Sequence, residues 1–375
     1  MSVLSSRPAL RWAVPGAVLA LALGAGTLGR VLIADAAPAL PPRTAAELLV
    51  DLQKARVAGL SGTVVQKADL GLPNLSFGPG NQGSSEFTSL VSGVHTLRVW
   101  YAGEDKQRVA LLGTLGESDA IHNGRDVWLW NSNRNEATHI RLPADATATK
   151  KPRPLASGLP KTPEEAAAAA LAAISPTTAV STDGTAQVAG RPAYELVLRP
   201  KDTASRVGQV RLAVDAEKKV PLRVQIFARN TGTPAFEVGF TRISFAVPTD
   251  QHFRFTPPPG AKVTESTRES DRKRGPKKPD PAAENRPTVV GQGWTAVVVG
   301  KAADLTGRPA TGDRDRYRNR GNALASALAS LPRVSGAWGS GRLLQSKLLS
   351  VLITDDGRIL AGAVDPSRLY EVAAK

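Results

Sequence analysis

The segment Ala120-Ile121-His122-Asn123-Gly124-Arg125-Asp126-Val127-Trp128-Leu129-Trp130-Asn131 holds the signal on which the fold turns. Asn123-Gly124 tolerates the positive φ of a two-residue type I′ turn, and β-branched and aromatic residues flank it. The stretch therefore predicts two antiparallel strands, Ser118–His122 and Asp126–Trp130, joined as a hairpin. Trp128 and Trp130 share one face of the second strand. Val127 and Leu129 opposite them are also apolar, which predicts a central strand buried on both sides.

Strands continue outward from this hairpin in both directions. Ser61–Gln66, Thr96–Ala102, Gln107–Leu112 and Thr138–Leu142 complete a first series. Tyr194–Arg199, Gly208–Asp215, Leu222–Ala228, Ala235–Phe240 and Ile243–Phe245 form a second, with turns at Gly103-Glu104-Asp105 and Asp215–Lys219. Each series follows a helix. Thr44 with Glu47 three residues on predicts a capping box ahead of Leu48, Leu49, Leu52 and Ala55. Thr162-Pro163-Glu164-Glu165 opens a second helix over Ala166–Ile174, with proline at its first position and acids on its dipole. One interrupting helix is too few for a parallel sheet, whose strands each need a crossover. The pattern predicts an α+β fold: one strongly curved antiparallel sheet with helices on one side.

The flanks differ in character. Met1–Arg11 carries Arg7 and Arg11, Trp12–Leu28 is apolar, and Ala34-Asp35-Ala36 is a small-x-small cleavage pattern. Residues 1–36 are thus expected to be a signal peptide or a membrane anchor, placing the chain across the cytoplasmic membrane on the envelope, periplasmic or extracellular side. Residues 43–260 hold the strand series. Residues 261–287 are charged and proline-rich, with few apolar residues, and predict a disordered linker. Residues 288–375 predict a small C-terminal α/β module: a strand at Trp294–Val299, a helix at Asn322–Leu331, an apolar run at Leu343–Thr354, a turn at Asp355-Asp356-Gly357 and a return strand at Ile359–Val364.

Composition excludes much chemistry. The 375 residues contain no cysteine, which removes disulfides, thiolate metal sites and thiol nucleophiles. The four histidines are scattered. Gly78-Pro79-Gly80-Asn81-Gln82-Gly83 matches a dinucleotide loop by letter, but a strand-to-helix context is missing. Glu164-Glu165 is explained by the helix dipole, and no nucleophile–base motif is present. The reading is non-enzymatic, with no cofactor and no metal. The net charge of +15 favours an anionic membrane surface as a partner. The Arg314–Arg320 run has only Tyr317 interleaved, so no nucleic acid is expected. Leu97, Val99, Tyr101, Trp128, Trp130, Val224 and Ile226 are the candidates to line a hydrophobic cavity, though the same alternation is what a packed core shows.

Ala46–Val65, Ala120–Asn131 and Leu222–Val263, the last ending Phe253-Arg254-Phe255-Thr256-Pro257-Pro258-Pro259-Gly260-Ala261-Lys262-Val263, resemble the LolA/LolB/RseB (MucB) superfamily of envelope proteins over Arg43–Val263. The resemblance implies a β half-barrel covered by helices, with a cavity for lipid or the acyl chains of lipoproteins. Its RseB branch implies the alternative: a two-domain regulator that senses envelope stress and controls a membrane-bound anti-sigma factor.

Overall fold

Twelve strands join side by side into one sheet in the computed structural model, which describes residues 40–72, 86–142, 176–267, 287–301 and 330–375. In chain order they are β1 (Leu60–Ala68), β2 (Gly93–Tyr101), β3 (Lys106–Leu112), β4 (Glu117–Asn123), β5 (Asp126–Asn131), β6 (Glu136–Arg141), β7 (Thr178–Val188), β8 (Arg191–Pro200), β9 (Val207–Asp215), β10 (Pro221–Ala228), β11 (Pro234–Ser244) and β12 (Lys262–Thr267). Across the sheet the order is β12-β6-β5-β4-β3-β2-β1-β11-β10-β9-β8-β7, curved and unclosed. The first strand pairs with both meanders, β2 on one side and β11 on the other.

The β4–β5 hairpin forms as expected, one residue out of phase. Asn123 pairs with Asp126, so Gly124-Arg125 is the connection, and only Gly124 takes a positive φ, 61°. A true pair of left-handed residues lies elsewhere, at Ala189 (φ 52°) and Gly190 (φ 74°) between β7 and β8. That geometry matches the right-handed twist of the strands it joins. Strand β7 is largely polar in sequence, and periodicity does not reveal it. Ala235–Phe240 and Ile243–Phe245 fuse into one strand, β11, with a bulge opposite Thr63/Val64.

Helix α1 (Ala45–Lys54) starts in the expected capping box. The Glu47 backbone N–H donates to Thr44 Oγ1 at 3.2 Å, and the Thr44 N–H donates to Glu47 Oε2 at 2.8 Å. Together these satisfy two N-terminal amides. Leu48 and Leu49 turn inward onto Val64, Leu196, Leu212, Val224 and Val238, forming the main core. Each leucine buried this fully contributes roughly 1.5–3 kcal/mol.

The expected curved antiparallel sheet is borne out, with one addition and one correction. The addition is β12, which runs parallel to β6 at one margin. After β11 the chain crosses one face through a 3-10 turn at Asp250–Phe253 and the prolines at 257–259, and so arrives beside β6 in the same direction. Lys262–Thr267 therefore belongs to the large sheet and not to the linker. Its composition reads as unstructured, but an edge strand needs backbone partners more than apolar side chains. Residues 268–286, the segment 1–36, the loop Gly78–Gly83, the helix expected over Ala166–Ile174 and the Arg314–Arg320 run lie outside the described residues.

The C-terminal residues build a second sheet from β13 (Thr288–Val290), β14 (Val297–Lys301), β15 (Arg333–Gly336), β16 (Gly339–Gln345), β17 (Ser350–Thr354) and β18 (Arg358–Gly362), in the order β13-β14-β18-β17-β16-β15. Trp294 falls in a 3-10 turn ahead of β14, not in the strand. The apolar run Leu343–Thr354 breaks at Ser346, whose Oγ accepts from the Leu348 and Leu349 amides. Helix α2 (Pro366–Ala373) packs Leu369 and Val372 against Val297, Leu352 and Leu360. Of the expected helix Asn322–Leu331, only Ser330 and Leu331 are described, and they lie in a turn.

Candidate ligand-binding face

The pairing register assigns every strand residue to one of two faces. Val64 stands opposite Leu97 and Phe240, Leu97 opposite Leu111, and Val99 opposite Val109, which in turn faces Ala120 and then Leu129. Val224 is flanked by Leu212 and Val238, and Ile226 by Val210 and Phe236. All of these belong to the face that α1 covers. On the opposite face, Trp100 leads to Arg108, Ile121, Trp128 and His139, and the neighbouring row holds Asp119 and Trp130.

The seven sequence candidates are therefore split. Leu97, Val99, Tyr101, Val224 and Ile226 share the helix face, whereas Trp128 and Trp130 lie on the other. Val224 (4% exposed) and Ile226 sit in the core beneath α1. Leu97 is fully buried with Leu90 and Leu111, where the 3-10 turn Phe87–Val91 packs down. Val99 packs at the margin of the core, and Tyr101 is half-buried.

The two halves of the sheet are covered in opposite senses. Over β7–β11 the helix face is sealed by α1, and the other face carries a charged ladder: Glu195 accepts from Arg223 at 2.6 Å and Arg211 at 3.2 Å, and Arg211 meets Asp183 at 3.0 Å. Over β2–β6 the strap Asp250–Phe255 covers that second face instead. His252 stacks on Trp100 with centroids 5.5 Å apart, Phe255 meets Trp128 and Trp130 at 5.3 and 5.6 Å, and Phe253 is 1% exposed. Lys106 ties Asp250 down at 2.7 Å. Arg108 donates to the fully buried Asp119 at 2.7 Å and to the His252 carbonyl at 3.4 Å. Burial pushes the Asp119 carboxyl up, against the hydrogen bond from Arg108, and burial together with Asp119 also raises Glu117.

Among the described residues, the helix face of β2–β6 is left open beyond the Phe87–Val91 turn. Val99, Tyr101, Val109, Ala120, Val127 and Ile140 are half-exposed there, and Leu129 is 43% exposed. The expectation that the Trp128 strand is buried on both sides holds on its tryptophan side alone. Sequence periodicity cannot separate these residues from core, because the difference lies in which half of the sheet α1 reaches. The open face is apolar and continuous with the core through Val99, so it suits an extended apolar chain. A separate recess of about 610 Å³ lies at the other end of β1, lined by Lys67, Asp69, Val94, Pro234 and Glu237, and is mixed in polarity. Among the described residues no cluster of His, Asp or Glu is arranged to hold a metal ion, and no helix is long and apolar enough to cross a membrane.

Residues 88–233 match the model of the MucB/RseB N-terminal domain. Over those residues the large sheet is similar to that domain. Solved structures that align with the chain include MucB from the Pseudomonas aeruginosa MucA/MucB complex, at 16% identity, covering 88% of this chain and 96% of that one with a TM-score of 0.43. An uncharacterized conserved protein from Thermus thermophilus is 13% identical over 59% of this chain and 98% of its own, with a TM-score of 0.34. A LolA superfamily protein from Nitrosomonas europaea is 12% identical over 57% of this chain and 99% of its own, with a TM-score of 0.21. No curated protein sequence matches the chain. In the matched part of the sheet the face that α1 covers farther along is the one left partly open.

Proposed function

We propose that the protein is an exported, non-enzymatic binding protein of the cell envelope that holds lipid or lipoprotein acyl chains on the open helix face of β2–β6. The observation that carries this reading is the half-exposed apolar row from Val99 through Val109 and Ala120 to the 43%-exposed Leu129. Monomeric proteins seldom leave such a surface without a use. The net charge of +15 supports docking at anionic lipid. The test is native mass spectrometry of the protein recovered from the envelope, with an organic extract analysed in parallel. A bound mass that extracts as lipid or acylated peptide is expected. A protein that is empty and also takes up no fluorescent fatty acid overturns the reading.

A second reading is a regulator that controls a membrane-bound anti-sigma factor. It draws on the MucB/RseB match over residues 88–233 and on the six-stranded sheet, which is taken to be a second domain over residues 288–375. Among the described residues several hydrogen bonds join that sheet to the large one. Lys347 N–H donates to the Leu70 carbonyl at 2.7 Å, Arg206 N–H to that of Ala363 at 2.9 Å, and Trp294 Nε1 to Thr178 Oγ1 at 2.8 Å. Deleting residues 288–375 separates the two readings: a carrier keeps ligand uptake, whereas a regulator loses control of its partner.

A further inference from the structure

His139 on β6 sits among more charge than any other histidine in the described residues. Its Nε2 lies 2.8 Å from Asp126 Oδ1 on β5, and its Nδ1 lies 2.8 Å from Glu265 Oε2 on β12. The ring lies flat on Trp128, with centroids 4.1 Å apart and planes 7° from parallel, and Phe255 of the strap closes on the same indole at 5.3 Å. The remaining charge nearby is Arg141 on β6, whose Nε is 3.9 Å from the same Asp126 oxygen. Lys262 and Glu136 pair at 3.3 Å at the start of the β12–β6 ladder. Three strands thus meet at one imidazole, which faces two carboxylates and lies on one indole.

Chemistry limits how that site is satisfied. An ionised carboxylate only accepts hydrogen bonds, and a neutral imidazole has one N–H, so it donates to one neighbour and turns a lone pair toward the other. Only the imidazolium donates to both. Histidine is also the side chain whose charge changes in the ordinary range between about pH 5 and 8. The strand at stake is lightly held. β12 is an edge strand whose paired neighbour is β6, and its sequence Lys-Val-Thr-Glu-Ser-Thr offers little apolar surface.

We propose that His139 is a pH-sensitive latch: as imidazolium it bridges Asp126 and Glu265 and holds β12 on the margin of the large sheet, and on losing its proton it loses its charge toward Glu265, keeps a single N–H for two carboxylates, and the strand loosens. The sign follows from the partners. The stabilisation of β12 is present at low pH and is lost as the ring deprotonates. A solvent-screened ion pair of about 1 kcal/mol corresponds to about a fivefold change in the opening equilibrium of the strand. The latch acts whether or not the apolar face holds a ligand.

Amide hydrogen exchange of the full chain, corrected for the intrinsic pH dependence of exchange, reads this directly. Residues 262–267 should be about fivefold better protected at about pH 5.5 than at about pH 7.5, while the β8–β9 amides keep a constant ratio. His139→Gln should abolish the pH dependence, and Glu265→Gln, which leaves the Trp128–His139 stack in place, should do the same. Nitrogen NMR of the wild-type ring supplies a reading that needs no variant: both ring nitrogens of His139 should be protonated at the lower pH. Equal β12 protection at the two pH values, a pH dependence that survives in both variants, or a singly protonated ring at the lower pH would each overturn the latch.

Discussion

Val224 and Trp130 stand on opposite faces of one sheet, although each belongs to an alternating apolar strand and both are buried, at 4% and 9% exposure. Val224 is sealed under α1, and Trp130 is sealed under Phe255 of the strap. The open apolar surface is a third set of residues, around Leu129.

The contrast gives a paired prediction. Val224→Asp places a carboxylate between Leu212 and Val238 with no partner, at a cost of several kcal/mol, a large share of a domain's stability. Cooperative thermal unfolding should be lost or shifted down steeply in circular dichroism. Leu129→Asp, at a 43%-exposed position, should leave the melting temperature within a few degrees while weakening uptake of a fluorescent fatty acid about tenfold or more.

Asp215 is fully buried and bound to both Arg191 Nε and, at 3.1 Å, Nη2. It also accepts from the amides of Glu217 and Lys218 at 2.9 and 2.6 Å. Burial alone would raise this carboxyl, but the Arg191 and amide hydrogen bonds outweigh it and hold it below its ordinary value of 3.8. A depressed carboxyl stabilises the fold above its unfolded value and loses that contribution as pH falls through the folded one. Asp215→Asn should cost about 3–5 kcal/mol at neutral pH and flatten the loss of stability below about pH 4, as measured by urea titration across pH.

Gly62 lies on the helix face where the Phe240 ring crosses β1. An added Cβ would come within 2.4 Å of the Arg242 carbonyl oxygen and 2.9 Å of the Phe240 ring. The first of these is backbone and cannot swing aside. Gly62→Ala should destabilise by about 1–3 kcal/mol in chemical denaturation, despite the gain expected for alanine over glycine in a strand.

The docking of the small sheet divides into an apolar and a charged part. Leu348 is 9% exposed and joins the core under α1, so Leu348→Ala should cost about 2–4 kcal/mol by the same measurement. Lys347 meets Asp69 at 2.6 Å with both side chains well exposed, 38% and 73%, and Lys347→Ala should change stability by less than about 1 kcal/mol.

Local rules are sufficient wherever a signal acts within a few residues. Thr44 and Glu47 dictate the start of α1, the alternation of Leu97, Val99 and Tyr101 dictates a strand, and the near absence of crossover helices dictates antiparallel pairing. Those are short-range consequences of backbone geometry, and they carry the fold class. The tertiary structure decided the rest. Which apolar face is sealed depends on how far α1 reaches across the sheet. Whether Trp128 and Trp130 face a groove or a strap depends on the path of residues 245–261. Whether Lys262–Thr267 is linker or strand depends on the free edge of β6. Each is a contact between segments more than a hundred residues apart in the chain, where a side chain's burial is set by its partner and not by its own sequence neighbours.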